Sequence, residues 1–347
     1  MAEIITAQGS ATQRGTEIGR QTKWQMIQLV DLCRESPPAP FTWPETVKRS
    51  EPYYQQTQIH FPHLIAENDA AATAAGLDPQ ELFTTSVEEL WATAPMNHNC
   101  TDVIAYPPAS HTNQIWVGHN NDTDPKVAEL TTVVERHLED GLVILGVGTA
   151  GLFVSAGANS QGIVLTGNEL TQTDIQEGGI PRIQLAMALL YAPNVTQAVS
   201  IALHPRRASS YNNIISSVQE SVSVEASATA HRLIRPESGL IIHSNHYLTP
   251  GMQAYEGKPN YTSSLTRHRR ATQLATQLHP LDRENMISIL ADHGEDNLPS
   301  ENSICRHGES QTQFSFLANL TTGVIELAVG NPCQNRFEAI WQISSHS

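Results

Sequence analysis

The stretch that most restricts how this chain can fold runs from residue 100 to residue 166, where short β-rich segments alternate with turn chemistry. Val103-Ile104-Ala105-Tyr106 and Ile115-Trp116-Val117-Gly118 are separated by a loop from Pro107 to Asn113. Thr131 to Val134 and Leu142 to Leu145 flank Glu139-Asp140-Gly141, and Asp-Gly tolerates the positive φ of a tight hairpin. Leu152 to Ala156 and Gly162 to Thr166 are joined by a second turn, Gly157 to Gln161. Strands this close in sequence pair antiparallel, because parallel pairing needs a long crossover.

Helical patterns flank the strands. Apolar residues at loose helical spacing predict a helix from Thr16 to Cys33, followed by a loop at Pro37, Pro38, Pro40 and Pro44. A second helix runs from Leu64 to Ala75 and stops at Gly76; a third opens at Asp78-Pro79. Further on, helices are expected at 181–191, 194–203, 263–278 and 282–292. Strands are expected within 211–243, at 313–317 and at 323–329. Segregated helices and hairpin-linked strands predict an α+β fold, two antiparallel sheets packed together with helices outside. The mainly helical first segment is a candidate separate unit, with a boundary near residues 95–100.

A net charge of −15 over 347 residues argues against a nucleic-acid surface. The N-terminus lacks the pattern of a secretory signal, and no apolar run approaches the ~18 residues of a membrane span. Four cysteines without C-x-x-C spacing suggest reduced thiols and a cytoplasmic protein; Cys33, Cys305 and Cys333 are expected to be structural. His243, His246 and His98 lack a further ligand at convincing spacing, so neither a metal nor a cofactor is expected.

Cys100 stands where the composition changes. A buried strand thiol is one reading, and with fifteen histidines in the chain a Cys–His pair is another. A third needs no histidine. Cutting the Asn99–Cys100 bond would give Cys100 a free α-amino group, titrating near pH ~8, able to accept the proton of its own thiol.

Cys100-Thr101-Asp102 followed by Gly118-His119-Asn120-Asn121-Asp122 resembles the start of the mature chain in cysteine N-terminal nucleophile (Ntn) hydrolases. The likeness is to the acyl-CoA:6-aminopenicillanate acyltransferase family, with choloylglycine and penicillin V hydrolases more distant. Further segments arrive in the family's order: Gly157-Ala158-Asn159-Ser160-Gln161-Gly162 leading to Asn168, then Ser210-Tyr211-Asn212 with Glu225. His243-Ser244-Asn245-His246, Ser264-Leu265-Thr266-Arg267 continuing to Arg270, Ser303 to His307, and Gly330 to Cys333 follow. Arg14-Gly15-Thr16-Glu17-Ile18-Gly19 and the Glu88-Glu89 pair resemble its N-terminal part.

The resemblance implies a four-layer αββα sandwich made as a precursor and cut before Cys100. An α segment, 1–99, and a catalytic β segment, 100–347, would stay associated. It implies Cys100 as nucleophile, Asp122 holding the new amino group, Asn245 and Asn168 stabilising the oxyanion, and Arg267 favouring the thiolate. The substrate would be a small N-acyl amine or amide. Hydrolysis is the favoured outcome, with transfer to an amine acceptor as the alternative; a homo-oligomer and a non-maturing binding relative also stay open. Two residues depart from the pattern: Asn99 where the acyltransferase-like proteins commonly have glycine, and His119 where distant relatives often carry arginine.

Overall fold

The computed structural model describes residues 3–91, 99–111, 113–257 and 261–343. Among the described residues fourteen strands are seen in chain order: β1 Ile4–Gln8, β2 Asn99–Ala105, β3 Trp116–Thr123, β4 Thr131–His137, β5 Val143–Thr149, β6 Phe153–Asn159 and β7 Val164–Asn168. They continue with β8 Asn212–Ser216, β9 Ser221–Ala226, β10 His231–Ile234, β11 Leu240–His243, β12 Gln311–Asn319, β13 Val324–Val329 and β14 Glu338–Gln342. One sheet has eight strands in the order β1-β4-β5-β6-β7-β8-β9-β10; the other has six, β11-β2-β3-β12-β13-β14.

Period-2 patterning places these sheets face to face. Ile104, Val117, Phe314 and Phe316 of the six-stranded sheet share one buried cluster with Leu145, Val147, Ala156, Ala158 and Ile214 of the eight-stranded sheet. On the outer face of the smaller sheet, Val103, Ala105 and Leu317 pack against Ala271, Ala275, Met286 and Ile289 of helices Thr262–Gln277 and Arg283–Leu290. The larger sheet turns Ile144, Leu165, Ile215 and Val224 towards helices Arg182–Leu189 and Val195–Ala202. The layers are α, β, β, α, the expected sandwich. None of the described helices is long and apolar enough to cross a membrane.

Several boundaries differ from the sequence expectation. The single helix expected from Thr16 to Cys33 is two, Ala11–Gln21 and Lys23–Glu35. Between them Thr22 leaves helical geometry and its hydroxyl donates to the Ile18 carbonyl. The proline-rich stretch does not only break the chain. Thr42 and Glu45 form a capping box with Pro44 in the first turn, and helix Trp43–His60 follows with Pro52 inside it.

The N-terminal segment is also less separate than its composition implies. β1 pairs in parallel with β4, the one parallel pairing among the described strands, so the segment supplies an edge of the larger sheet. A buried ionic triad joins the same parts: Glu67 accepts from Arg14 at 3.0 Å and from Arg136 of β4 at 2.7 Å. Gly15 and Gly19 explain the spacing around Arg14. They sit one turn apart on helix Ala11–Gln21, against helix Pro62–Ala75. A methyl group at either would lie 2.2 Å from the carbonyl oxygen of Glu67 or Ala71. Gly15→Ala or Gly19→Ala should therefore lower stability by about 1–3 kcal/mol through overpacking, measured by urea denaturation. A neutral effect at both sites would reject this close approach.

Candidate active site

Alternation along β2 and β3 sorts the site residues onto two faces. Cys100, Asp102 and Ile104 alternate with Thr101 and Val103, and the register pairs Cys100 with Asn121 and Asp102 with His119. Ile104 and Val117 belong to the cluster between the sheets, so Cys100, Asp102, His119 and Asn121 point the same way. Thr101, Asn120 and Asp122 face the helix layer. Asn120, Asn121 and Asp122 all lie within β3 and are buried.

Cys100 is 5% exposed, and its Sγ lies 3.7 Å from Asn121 Oδ1. It opens on a cavity of about 460 Å³ lined by strands of both sheets and by helices Lys23–Glu35 and Arg182–Leu189. Leu29, Leu32, Val127, Phe153, Val154, Leu165 and Ile183 give this cavity apolar walls; Asn121, Asn168, Asn213 and Gln313 supply polar groups near the sulfur's end. Leu29, Leu32, Cys33, Thr85, Glu88 and Trp91 come from before the proposed junction, so both segments build the cavity.

Behind the cysteine's backbone, the motifs of the helix and turn converge. Ser264 and Arg267 are i,i+3 neighbours on one buried face of helix Thr262–Gln277. Ser264 Oγ accepts the Asn245 N–H at 2.7 Å. Arg267, with no exposed surface, donates to the Cys100 carbonyl, to Thr101 Oγ1 at 2.8 Å and to Asn245 Oδ1 at 2.8 Å. Asn245 Oδ1 also accepts the Cys100 N–H at 2.9 Å. Arg270, a further turn along, pairs with Asp292 through two hydrogen bonds of 3.0 and 2.8 Å. Glu225 fixes the preceding turn by accepting from His243 at 3.0 Å and from the backbone N–H groups of Leu248 and Thr249.

Electrostatics keep the thiol neutral in the intact chain. Burial pushes Cys100 well above the ordinary thiol value, and Asp122 and Asp102 push in the same direction; the Asp122 N–H and Arg267 oppose them. Burial also takes Arg267 down to about 10, still cationic at neutral pH. Asp122 is pushed up to about 6 by burial, against the pull of Arg267, Arg306 and the Thr312 hydroxyl. Thr312 Oγ1 donates to Asp122 Oδ1 at 2.8 Å, while Oδ2 is buried with no hydrogen-bond partner.

The two asparagines expected at the oxyanion are placed differently. Asn245 donates one side-chain N–H to Glu169 O at 3.1 Å and has a second to offer. Asn168 lines the cavity, but its side-chain N–H groups point to Asp102 Oδ2 at 2.7 Å, and its Oδ1 accepts from Asn212 at 3.0 Å. Its amide is thus held in a relay that continues from Asp102 to His119 Nδ1 at 3.1 Å. His98 lies outside the described residues; His243 is committed to Glu225, and His246 Nδ1 lies 2.7 Å from Ser264 Oγ.

A family model described as acyl-coenzyme A:6-aminopenicillanic acid acyl-transferase matches residues 109–334, well over half of the chain. The chain belongs to that family. A sequence comparison with curated proteins finds no match. Among solved structures, a variant of the conjugated bile acid hydrolase from Clostridium perfringens is similar at 12% identity and TM-score 0.48, over 71% of this chain and 97% of that one. Penicillin V acylase from Agrobacterium tumefaciens is similar at 12% identity and TM-score 0.42, over 66% and 83%. The family match begins after Cys100.

In this member of the acyltransferase family, three motif residues turn out to be framework. Asn159 donates to Leu190 O and Ala192 O at 3.0 and 2.8 Å, and its Oδ1 accepts two N–H groups of its own turn. Glu88 and Glu89 anchor the end of the first segment: Glu88 meets Arg182 Nε at 2.5 Å and Tyr211 Oη at 2.7 Å, and Glu89 accepts from Arg182 N at 2.9 Å. Asn121, whose side chain lies 3.7 Å from the sulfur, donates to Gln313 at 2.7 Å, and no motif in the sequence points to this pair. Alternation from Cys100 would have found Asn121, since it is the ladder partner.

The state of Asp122 can be read from stability. In an uncut Cys100→Ala chain, the unfolded carboxyl ionises near its ordinary 3.8 and the folded one near 6. Between those values the folded chain holds the extra proton, so stability falls as pH rises, and the penalty is complete above about pH 6. Asp122→Asn should gain on its parent across that window, by up to about 3 kcal/mol. A stability difference that is flat with pH there rejects the raised carboxyl.

Proposed function

We propose that this chain is a self-processing cysteine Ntn enzyme that opens a small amide or N-acyl amine through a thioester on Cys100. The observation carrying this reading is the pairing of a held nitrogen with an unsatisfied carboxylate. The α-nitrogen of Cys100 already donates to Asn245 Oδ1 at 2.9 Å, and in the ladder Asp122 stands opposite Asn99, with Oδ2 lacking a partner. A new amino group at residue 100 would supply that partner and offset the charge that burial makes costly.

The maturation step balances within the chain. Sγ attacks the Asn99 carbonyl carbon, the C–N bond breaks, and the thiol proton ends on the released nitrogen. Water then hydrolyses the thioester, leaving a carboxylate on Asn99 and a thiol on Cys100. In turnover the α-amine takes the thiol proton and the thiolate adds to the substrate carbonyl. The protonated amine returns that proton to the leaving nitrogen. The second N–H of Asn245 is assigned to the oxyanion, a contribution of roughly 2.7–4 kcal/mol in comparable sites. Asn168 acts by holding Asp102, or through its backbone. The apolar walls of the cavity suit a substrate with a hydrocarbon acyl group or side chain.

Water and an amine are alternative acceptors of the same thioester, and the family's name favours the amine. Four free thiols suit a reducing cytoplasm. Denaturing mass measurement of the purified protein should give two chains, 1–99 and 100–347. Cys100→Ala should give one chain, with amide turnover lower by at least about 1000-fold. A wild-type chain that stays intact on long incubation overturns the maturation. With activity present, the split of acyl product between water and added amine separates hydrolase from transferase.

A further inference from the structure

Outside the cavity, the loop after helix Arg283–Leu290 and the turn after β13 bring four further side chains together. They are His293, Cys305, His307 and Cys333, whose donor atoms all lie within 4.8 Å of one another. We propose that these residues form a structural zinc site, a Cys2His2 set with no position left for substrate.

The three separations measured from His307 Nε2 match those of a tetrahedral site, and all four donors lie within 4.8 Å of one another. His293 Nε2 and His307 Nε2 are 3.2 Å apart, and His307 Nε2 lies 3.4 Å from Cys305 Sγ and 3.5 Å from Cys333 Sγ. An ion bonded at ~2.05 Å to nitrogen and ~2.3 Å to sulfur sets nitrogens about 3.3 Å apart, and nitrogen and sulfur about 3.5 Å apart. Two neutral imidazoles meeting Nε2 to Nε2 can share one hydrogen bond, with one ring donating and the other accepting. A shared cation satisfies both. Two sulfurs and two nitrogens in tetrahedral array suit Zn²⁺ above harder ions.

The surroundings are built as well. Asn331 directs its side-chain N–H groups to Cys305 Sγ at 3.6 Å and to Arg306 O at 2.7 Å, which supports a thiolate and fixes the loop. The Cys305 N–H donates to Asp292 O at 3.0 Å, tying the ligand loop to the end of the helix. Binding is balanced in charge: each thiol gives its proton to solvent, and two thiolates neutralise the dication. Cys305 and Cys333, expected to be structural thiols, lie together here with two histidines. Spacing in the sequence does not announce this grouping, because the ligands come from three separate turns.

Such an ion would hold Arg306, which lies between two ligands. The Arg306 N–H donates to Thr312 Oγ1 at 2.9 Å, and that hydroxyl donates to Asp122. Its guanidinium reaches Ser263 Oγ at 3.0 Å. The zinc would therefore brace the helix-side wall of the cysteine site without touching substrate.

Protein purified under reducing conditions, loaded with Zn²⁺ alone and passed through a desalting column should retain about one equivalent per chain. Replacement by Co²⁺ should give thiolate charge-transfer bands and the intense visible absorption of a tetrahedral ion. Cys333→Ser changes an exposed residue, so its fold should survive while Zn²⁺ affinity drops more than about 100-fold. Failure of the reduced wild-type protein to retain zinc, cobalt spectra without thiolate bands, or unchanged affinity in Cys333→Ser each overturns the site. So does a Cys305–Cys333 disulfide that persists in reductant, read as a mass two units lower. None of these readouts depends on maturation or amide turnover.

Discussion

A guanidinium removed from water must be surrounded by oxygen acceptors, and Arg267 meets that demand at the one place where the architecture converges. Its partners outside its own helix are the Cys100 carbonyl, Thr101, Asn245 and, at 3.4 Å, the side chain of Asn99. They belong to strand β2 and to the turn after β11, while the arginine belongs to a helix of the outer layer. Taking the arginine away would leave several buried acceptors unpaired, a larger loss than the hydrogen bonds themselves. What it fixes is the cysteine's backbone. The sulfur stays on the other face of the strand, neutral and facing the cavity.

A second polar system lies between the sheets, where apolar contact would be the simpler choice. His119, Asp102, Asn168 and Asn212 form a chain of hydrogen bonds from β3 and β2 across to β7 and β8, and Ser223 of β9 closes it at 2.6 Å. Each link demands a particular register, so a slip of one residue in either sheet would bury unpaired groups. Asp102 is held at both oxygens, Oδ1 by His119 and Oδ2 by Asn168.

Layer order and most elements were legible in the sequence because they rest on local signals: Asp-Gly at 140–141, Gly76 as a helix stop, and Asp78-Pro79 as a helix start. Elements were missed where a distant partner decides. β1 is five residues long and exists because β4 offers an edge. Helix Trp43–His60 contains a proline that composition reads as a break, yet its buried face meets neighbouring helices. At the site, the motif residues do converge on Cys100, as with Ser264, Arg267 and Asn245. The division of labour among them was not legible, because an asparagine in a motif looks alike whether it faces a carbonyl, as Asn159 does, or a carboxylate, as Asn168 does.

The parallel pairing of β1 with β4 has a consequence for how such a molecule ages. A chain divided after Asn99 carries its sheet edge, its Arg14–Glu67–Arg136 triad and one cavity wall across two polypeptides. Unfolding then releases two molecules instead of one, so recovery becomes a second-order encounter that slows with dilution. The working lifetime would be set by how slowly the pieces separate, a kinetic property fixed by the interface that the intact precursor had folded around.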